Sequence, residues 1–377
     1  MKPLRVVIAG GGTGGHLFPG IAVAREIVRR RPDAVVTFAG TARGIESRVV
    51  PREGFELDVL RSAGLKGTSP AALLRGLALL PLSGADAWRI VSRRSPDLVI
   101  GVGGYSSGPV VLAAAARRIP TLLLEQNAVP GLTNRLLSRV VSAAAVTFDS
   151  TVTFFGRRGF VTGNPVRPEF FQPPIHADGR VTDERSASAP APAGPPRILI
   201  FGGSQGAHAI NMAMVEAAPR LAAHPGGLAI THQTGDRDLE PVRDGYRRAG
   251  LEVRVEPFLF AMDREMKAAD LVVCRAGATT IAELTAAGRP AVLIPLPTAA
   301  DDHQRKNAEV LARADAAELI EQKDLTGDRL AARILALAGD PARRQRMARA
   351  AQTFARPDAA SAIVDKALDL TGGGART

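Results

Sequence analysis

The sequence predicts an α/β protein built from two similar domains, each a parallel sheet covered by helices on both faces. Three observations carry that expectation. Short Val/Ile/Leu runs alternate with longer helical stretches from end to end. A glycine-rich turn follows the first strand-like run of each half: Gly10-Gly11-Gly12-Thr13-Gly14-Gly15-His16, then Gly202-Gly203-Ser204-Gln205-Gly206. Between the halves lies a Ser/Ala/Pro-rich segment, residues 176–196, too poor in large apolar side chains to order itself.

In order, the strand candidates of the first half are residues 4–9, 35–40, 98–101, 121–125 and 144–147. Those of the second half are 197–201, 229–234, 253–257, 271–274 and 291–295. A final helix is expected over 358–370, after Pro357, with the first domain as its expected packing partner. The domain reading is 1–163, a hinge and insertion over 164–196, a second domain over 197–356, and a terminal helix and tail over 357–377. The halves share an opening pattern and little else, so they are similar folds rather than a tandem repeat.

Composition narrows the function classes. The 377 residues are 46% hydrophobic and 23% charged, as in an ordinary globular protein with a large core. Aromatic residues are 4% of the chain, which argues against base-stacking platforms and a nucleic-acid partner. The net charge of +11 suits an anionic partner, and equally an Arg-rich proteome of high genomic GC content; charge leaves the two open. A single cysteine, Cys274, excludes an intrachain disulfide and a Cys-based metal site. The apolar run before Gly10 is too short for a signal peptide, and no run reaches the roughly 18 residues of a membrane span. A cytoplasmic protein, at most attached to a membrane surface, is expected.

Both glycine turns join a strand to a helix. A helix N-terminus offers unpaired amides and partial positive charge to a phosphate. Gly10, Gly12 and Gly15 satisfy G-x-G-x-x-G, but the second strand ends in Gly40-Thr41-Ala42-Arg43, without the carboxylate that would hold a dinucleotide ribose. That weakens a dehydrogenase reading. His16, at the start of a helix, suits proton transfer near neutral pH; a histidine bonded only to backbone is the alternative. Gly101 to Gly108 and Glu125-Gln126-Asn127 follow further strands, on the edge where parallel sheets bind ligands. Arg167 offers a fork to phosphate or is a surface hinge residue. The amides of Ala278 to Thr280 suit a phosphate, Glu283 two ribose hydroxyls, and Gln304 a sugar. Asp236 and Asp238 read as a solvated turn rather than a metal motif. Residues 71–89 place Leu73, Leu74, Leu77, Leu80, Leu82 and Trp88 among Lys66, Arg75 and Arg89. This is either a core face broken at Pro81 or a patch that dips into an anionic leaflet.

Taken together, Gly-Gly-Thr-Gly-Gly-His16, Gly-Tyr-Ser-Ser-Gly108, Glu-Gln-Asn127, Gly-Asn-Pro-Val-Arg167, Gly-Gly-Ser-Gln-Gly206, Cys-Arg-Ala-Gly277 and His-Gln304 resemble the MurG family over nearly the whole chain. These bacterial transferases move N-acetylglucosamine (GlcNAc) from UDP-GlcNAc to undecaprenyl-pyrophosphoryl-N-acetylmuramoyl-pentapeptide, lipid I, in peptidoglycan synthesis. The resemblance implies a GT-B architecture, two Rossmann-like domains with a cleft between them. It places the donor on the second domain: Ser204 near the diphosphate, Glu283 on the ribose, Leu259, Ala278, Thr279 and Thr280 around the nucleotide, Gln304 on the sugar, and Arg167 stabilising the nucleotide side. Thr13, Gly14, Gly15 and Asn127 would face donor sugar and acceptor. It further implies an inverting displacement with His16 as candidate base, no cofactor and no active-site metal, a peripheral position on the cytoplasmic face of the inner membrane, and cell-wall synthesis proteins as partners. Two departures stand out: the Pro/Ala insertion is longer than the family requires, and His303 precedes Gln304 where some members carry glutamine. A UDP-GlcNAc 2-epimerase and a non-catalytic nucleotide-sugar-binding protein are the other classes this scaffold admits.

Overall fold

The computed structural model describes residues 2–42, 44–62, 70–171, 194–203 and 206–372, and the side chains of these except 70–78 and 300. Ser204, Lys66 and nearly all of the Pro/Ala-rich insertion lie outside the described residues. The chain forms two compact units, Met1–Val166 with Arg356–Thr377, and Arg167–Ala355.

The first unit runs β1 (Arg5–Gly10), α1 (Gly14–Arg30), β2 (Val35–Gly40), α2 (Glu46–Arg52), β3 (Glu56–Val59), α3 (Pro70–Arg94), β4 (Leu98–Gly103), α4 (Ser107–Ala116), β5 (Thr121–Glu125), α5 (Leu132–Leu137), β6 (Ala143–Val146), α6 (Asp149–Phe155) and β7 (Gly159–Val161). Its seven strands are all parallel, in the order β3-β2-β1-β4-β5-β6-β7. The second unit runs β8 (Arg197–Phe201), α7 (His208–Ala222), β9 (Ala229–Gln233), α8 (Leu239–Arg248), β10 (Val253–Glu256), α9 (Met262–Ala268), β11 (Leu271–Cys274), α10 (Ala278–Ala287), β12 (Ala291–Leu293), α11 (His303–Arg313), β13 (Ala317–Leu319), α12 (Gly327–Ala338) and α13 (Pro341–Gln352). Its sheet is also parallel, ordered β10-β9-β8-β11-β12-β13. The last helix, α14 (Ala359–Leu370), returns to the first unit.

The expected fold class, two Rossmann-like parallel-sheet domains, is what forms. Alternation along β1 shows why the sheet needs two helical layers. Val6 and Ile8 pack with Leu17, Ile21 and Ile27 of α1 and with Ile363 and Val364 of α14. Val7 and Ala9 face the other way, against Ala87 and Val91 of α3 and Val110 of α4. The Arg30 guanidinium also bonds Asp365 and Ser361, fastening α14 to α1. Each sheet reverses its strand order beside its first strand, between β1 and β4 and between β8 and β11. That switch point opens a crevice at the carboxyl ends of the strands.

Three strands escape the sequence reading. β3, β7 and β13, with sequences ELDV, GFV and AEL, hold at most two consecutive apolar residues and so show no strand-like run. Helix α3 is not broken at Pro81, which lies inside it on an exposed face. There the backbone carbonyl that proline leaves unpaired can bond water.

Candidate functional site

In the first unit the glycine turn after β1 takes conformations that only glycine holds at ease: φ is +146° at Gly10, +148° at Gly11 and +84° at Gly12. Gly103, the last residue of β4, and Gly104 after it also have positive φ and press against this turn. A Cβ on Gly104 would meet the Gly11 carbonyl oxygen, and one on Gly103 the His16 ring. Thr13 is the extended residue before α1, its carbonyl accepting the Leu17 amide at 3.2 Å, so Gly14, Gly15 and His16 form the helix's first turn.

His16 is not merely bonded to backbone. Gln126, 2% exposed, donates from Nε2 to the Val102 carbonyl at 3.1 Å, which turns its Oε1 to the His16 Nδ1 at 3.2 Å. That pairing puts the ring hydrogen on Nδ1 and leaves the basic lone pair on Nε2. Beside it, Glu125 is fully buried and accepts from the Asn127 amide and side chain, the Gly131 amide and Asn134 Nδ2, at 2.8 to 3.2 Å. Burial raises the Glu125 pKa, against the pull of these donors. The four bonds fix the loop that carries Asn127. Sequence reasoning found the segment but missed that Gln126 and Glu125 are its anchors; their adjacency to Asn127 was the available signal.

In the second unit Gly202, Gly203 and Gly206 form the turn after β8. Gly206, at φ +74°, lies so close to the Thr234 carbonyl that no side chain fits. Gln233, at the end of β9 and 1% exposed, donates to the Gly203 carbonyl at 2.8 Å and accepts the Leu259 amide at 3.3 Å. It ties the turn to the loop bearing Leu259, a link that sequence spacing does not reveal. Gly277 precedes α10 with no side-chain cap, so the first turn of that helix, Ala278, Thr279 and Thr280, presents its amides at the switch point.

Glu283 lies farther along α10 with 16% of its side chain exposed, 3.9 Å from the Arg167 guanidinium. Burial pushes its pKa up to about 7; Arg167 opposes the shift and Asp263 adds to it. Arg167 itself stacks on Phe170, 5.1 Å from the ring centre. Gln304 uses its Oε1 within the protein, accepting the amides of Ala276 at 3.3 Å and Leu296 at 3.0 Å. Only the hydrogens of its Nε2 are then available to a sugar. Burial raises the Cys274 thiol, so it is no nucleophile at neutral pH.

One expectation is overturned. Asp238 is not a solvated turn residue: it is 5% exposed, bonded to Asn211 Nδ2 at 2.8 Å and His208 Nδ1 at 3.0 Å. Burial works against its charge, but these donors prevail and its pKa is lowered. Asn211 continues the chain inward to His232, whose other nitrogen meets Tyr246 at 2.8 Å; burial drives the His232 pKa down to about 3. This buried relay is structural, since it supports the Thr234 carbonyl through Asn211. Among the described residues no three His, Cys, Asp or Glu side chains are grouped as metal ligands. Nor is any helix there long and apolar enough to cross a membrane. On α3, Leu80, Leu82 and Trp88 are 45%, 42% and 51% exposed, so these three do not belong to the core face, which is made by Ala87, Ile90 and Val91.

Residues 6–146 match the glycosyltransferase family 28 N-terminal domain, and residues 197–363 the glycosyltransferase family 28 C-terminal domain. The chain is 50% identical over 371 residues, 97% of its length and 93% of the relative's, to the UDP-N-acetylglucosamine–N-acetylmuramyl-(pentapeptide) pyrophosphoryl-undecaprenol N-acetylglucosamine transferase of Anaeromyxobacter sp. (strain K). Among solved structures it is similar to MurG of Acinetobacter baumannii, with a TM-score of 0.77 and 33% identity, covering 97% of this chain and 99% of that one. The UDP-GlcNAc 2-epimerase of Neisseria meningitidis, at 14% identity and a TM-score of 0.65 over 98% of this chain and 100% of its own, shares the fold alone. With both domains matched in order and half of its residues shared along nearly its full length, this chain belongs to glycosyltransferase family 28 and, within it, to the MurG family.

Proposed function

We propose that this protein transfers GlcNAc from UDP-GlcNAc to the C4 hydroxyl of the muramoyl sugar of lipid I, with inversion at the anomeric carbon, giving lipid II and UDP. The observation that carries the reading is its 50% identity, over 97% of the chain, to a relative named for this reaction. The site chemistry agrees with it. In the second unit the amides opening α10 and the Arg167 guanidinium suit a diphosphate, and Glu283 suits the two hydroxyls of a ribose. Leu259, backed by Gln233, is our candidate wall for the base, and Gln304 would donate to the sugar. By family resemblance Ser204 joins the diphosphate contacts.

In the first unit Thr13, Gly14, Gly15 and Asn127 are our candidates for holding the acceptor around His16. The His16 Nε2 takes the proton from the C4 hydroxyl as that oxygen forms its bond to C1 of GlcNAc. The bond from C1 to the diphosphate oxygen breaks with its electrons, and UDP departs as the anion. Positioning of the two sugars and stabilisation of the departing diphosphate supply the rest of the rate. The test is transfer of labelled GlcNAc to a lipid I analogue, with and without EDTA. A β-1,4-linked disaccharide lipid, formed only with acceptor and unaffected by EDTA, is the expected product. Epimerised or hydrolysed donor without acceptor would replace this reading with the epimerase class.

An acceptor carried on a membrane lipid calls for an enzyme at the membrane surface, and we propose the cytoplasmic face of the inner membrane. Exposed Leu80, Leu82 and Trp88 on α3, with Arg89 beside them and the Arg117 guanidinium 5.5 Å over the Trp88 ring, suit an anionic leaflet. Replacing both Leu80 and Trp88 by serine should cut co-sedimentation with phosphatidylglycerol vesicles about 10-fold or more. Turnover of a water-soluble, short-chain acceptor should stay as it was. Unchanged sedimentation would move the membrane contact elsewhere on the protein, where cell-wall synthesis proteins are the remaining candidates for holding it at the membrane.

A further inference from the structure

The glycine turn of the first unit already contains an anion. Glu46, the first residue of α2, is 1% exposed and directs its carboxylate back into the turn after β1. Its Oε2 accepts the Gly12 amide at 2.8 Å, while Oε1 accepts the amide and the hydroxyl of Thr41, each at 2.8 Å. The surrounding backbone is cut to fit it. A Cβ placed on Gly11, Gly40 or Gly44 would collide with the Glu46 side chain. Two backbone amides and a hydroxyl closed around a buried carboxylate are donors of the kind that, in a nucleotide-binding turn, close around phosphate. In the second unit, among the described residues, no carboxylate bonds the amides of Gly202, Gly203 or Gly206.

We propose that Glu46 is a built-in occupant of the phosphate position in the first glycine turn, so that this unit holds no substrate phosphate on the Gly12 amide and uses the turn to fix Thr13 to His16. Two folds of one kind thereby acquire different tasks. The first unit fills its turn and gains a rigid platform for the reacting hydroxyl, while in the second the described residues place no carboxylate on Gly202, Gly203 or Gly206. The absent carboxylate at the end of β2 finds its counterpart here, one short loop later. Burial disfavours the charge on Glu46, but the Gly12 and Thr41 donors outweigh it and hold its pKa below 4.5, so the anion persists across the neutral range. Glu46 is a positioning residue: it acts on the reaction through the turn, an assignment that rests on the transferase reading above.

Two variants of the full chain test it. Glu46→Gln keeps the shape but sets an amide NH2 against a backbone donor, and Glu46→Ala empties the turn. In both, the Kd for UDP-GlcNAc should stay at the wild-type value, while kcat falls about 100-fold through misplacement of the turn. Sodium formate, compared with sodium chloride at equal ionic strength, should raise the melting temperature of Glu46→Ala but not of wild type, and recover part of its turnover. Should Glu46→Ala fold only in formate, the same conclusion follows. Wild-type kcat in Glu46→Gln, or a Glu46→Ala protein whose melting and turnover ignore formate, would overturn the proposal. The melting arm needs no acceptor, so wild-type protein that transfers nothing would count against the transferase assignment alone.

Discussion

Replacing His16 by alanine is expected to lower kcat about 100- to 10 000-fold, the span that removal of a positioned general base covers. The Kd for UDP-GlcNAc should change little, since the role proposed for His16 is proton transfer from the acceptor and not a contact to the nucleotide. Gln126 supplies the internal control. By holding Nδ1 it selects the tautomer with a basic Nε2, so Gln126→Leu should also depress kcat, by a smaller factor and with the donor still bound. Rate measured against pH separates a base from a packing residue. Wild type should lose activity on the acid side as the imidazole protonates, and His16→Ala should lack that limb. Near-normal turnover of His16→Ala with both substrates saturating would remove histidine from the mechanism.

Glu283 gives the second large effect. Glu283→Ala removes the acceptor proposed for two ribose hydroxyls, and loss of charge-assisted bonds of this kind is expected to weaken donor binding roughly 10- to 100-fold. The pKa of about 7 adds a signature that can be checked in solution. Only the carboxylate accepts both hydroxyls, so the wild-type Kd for UDP-GlcNAc should tighten as pH rises from 6 to 8. In Glu283→Gln it should be weak and flat. Stability moves in the opposite sense. Between 4.5 and about 7 the folded protein keeps a proton on Glu283 that the unfolded chain has released. Ligand-free stability should therefore fall as pH rises through that window, by something on the order of 3 kcal/mol, and level off above it. Glu283→Gln should lack this component. Calorimetric melting of both proteins at pH 5 and pH 8 decides it: the same pH dependence in the two would mean that Glu283 is not the group responsible.

Strands buried on both faces announced themselves through continuous apolar runs, Val6–Ala9 in β1, Leu122–Leu124 in β5 and Ile198–Phe201 in β8, which read as strands from composition alone. Strands β3, β7 and β13 did not, since none of them holds more than two consecutive apolar residues of its own. The glycine turns and strand ends that carry the candidate site residues were legible because positive φ and the switch point constrain which residues can stand there. What stayed hidden was the second layer of contacts. Gln126, Gln233 and Glu46 act through side chains reaching across 24 to 110 positions of sequence, and no local pattern marks such partners. Asp238 was misread because a Gly-Asp-Arg-Asp turn looks solvated until α7 brings Asn211 and His208 onto it.

The placement of α14 has a bearing on how the chain is made. Ile363, Val364 and Ala367 complete an apolar layer otherwise contributed by the opening residues of the sequence. During vectorial synthesis the first unit is therefore the first to leave the ribosome and the last to be finished. It must wait, with the part of this layer that α14 covers left open, while the second unit is translated and closes on its own contiguous stretch. A premature stop anywhere in the final helix would thus injure a region at the opposite end of the gene, leaving an intact second unit attached to a first one with an exposed apolar face.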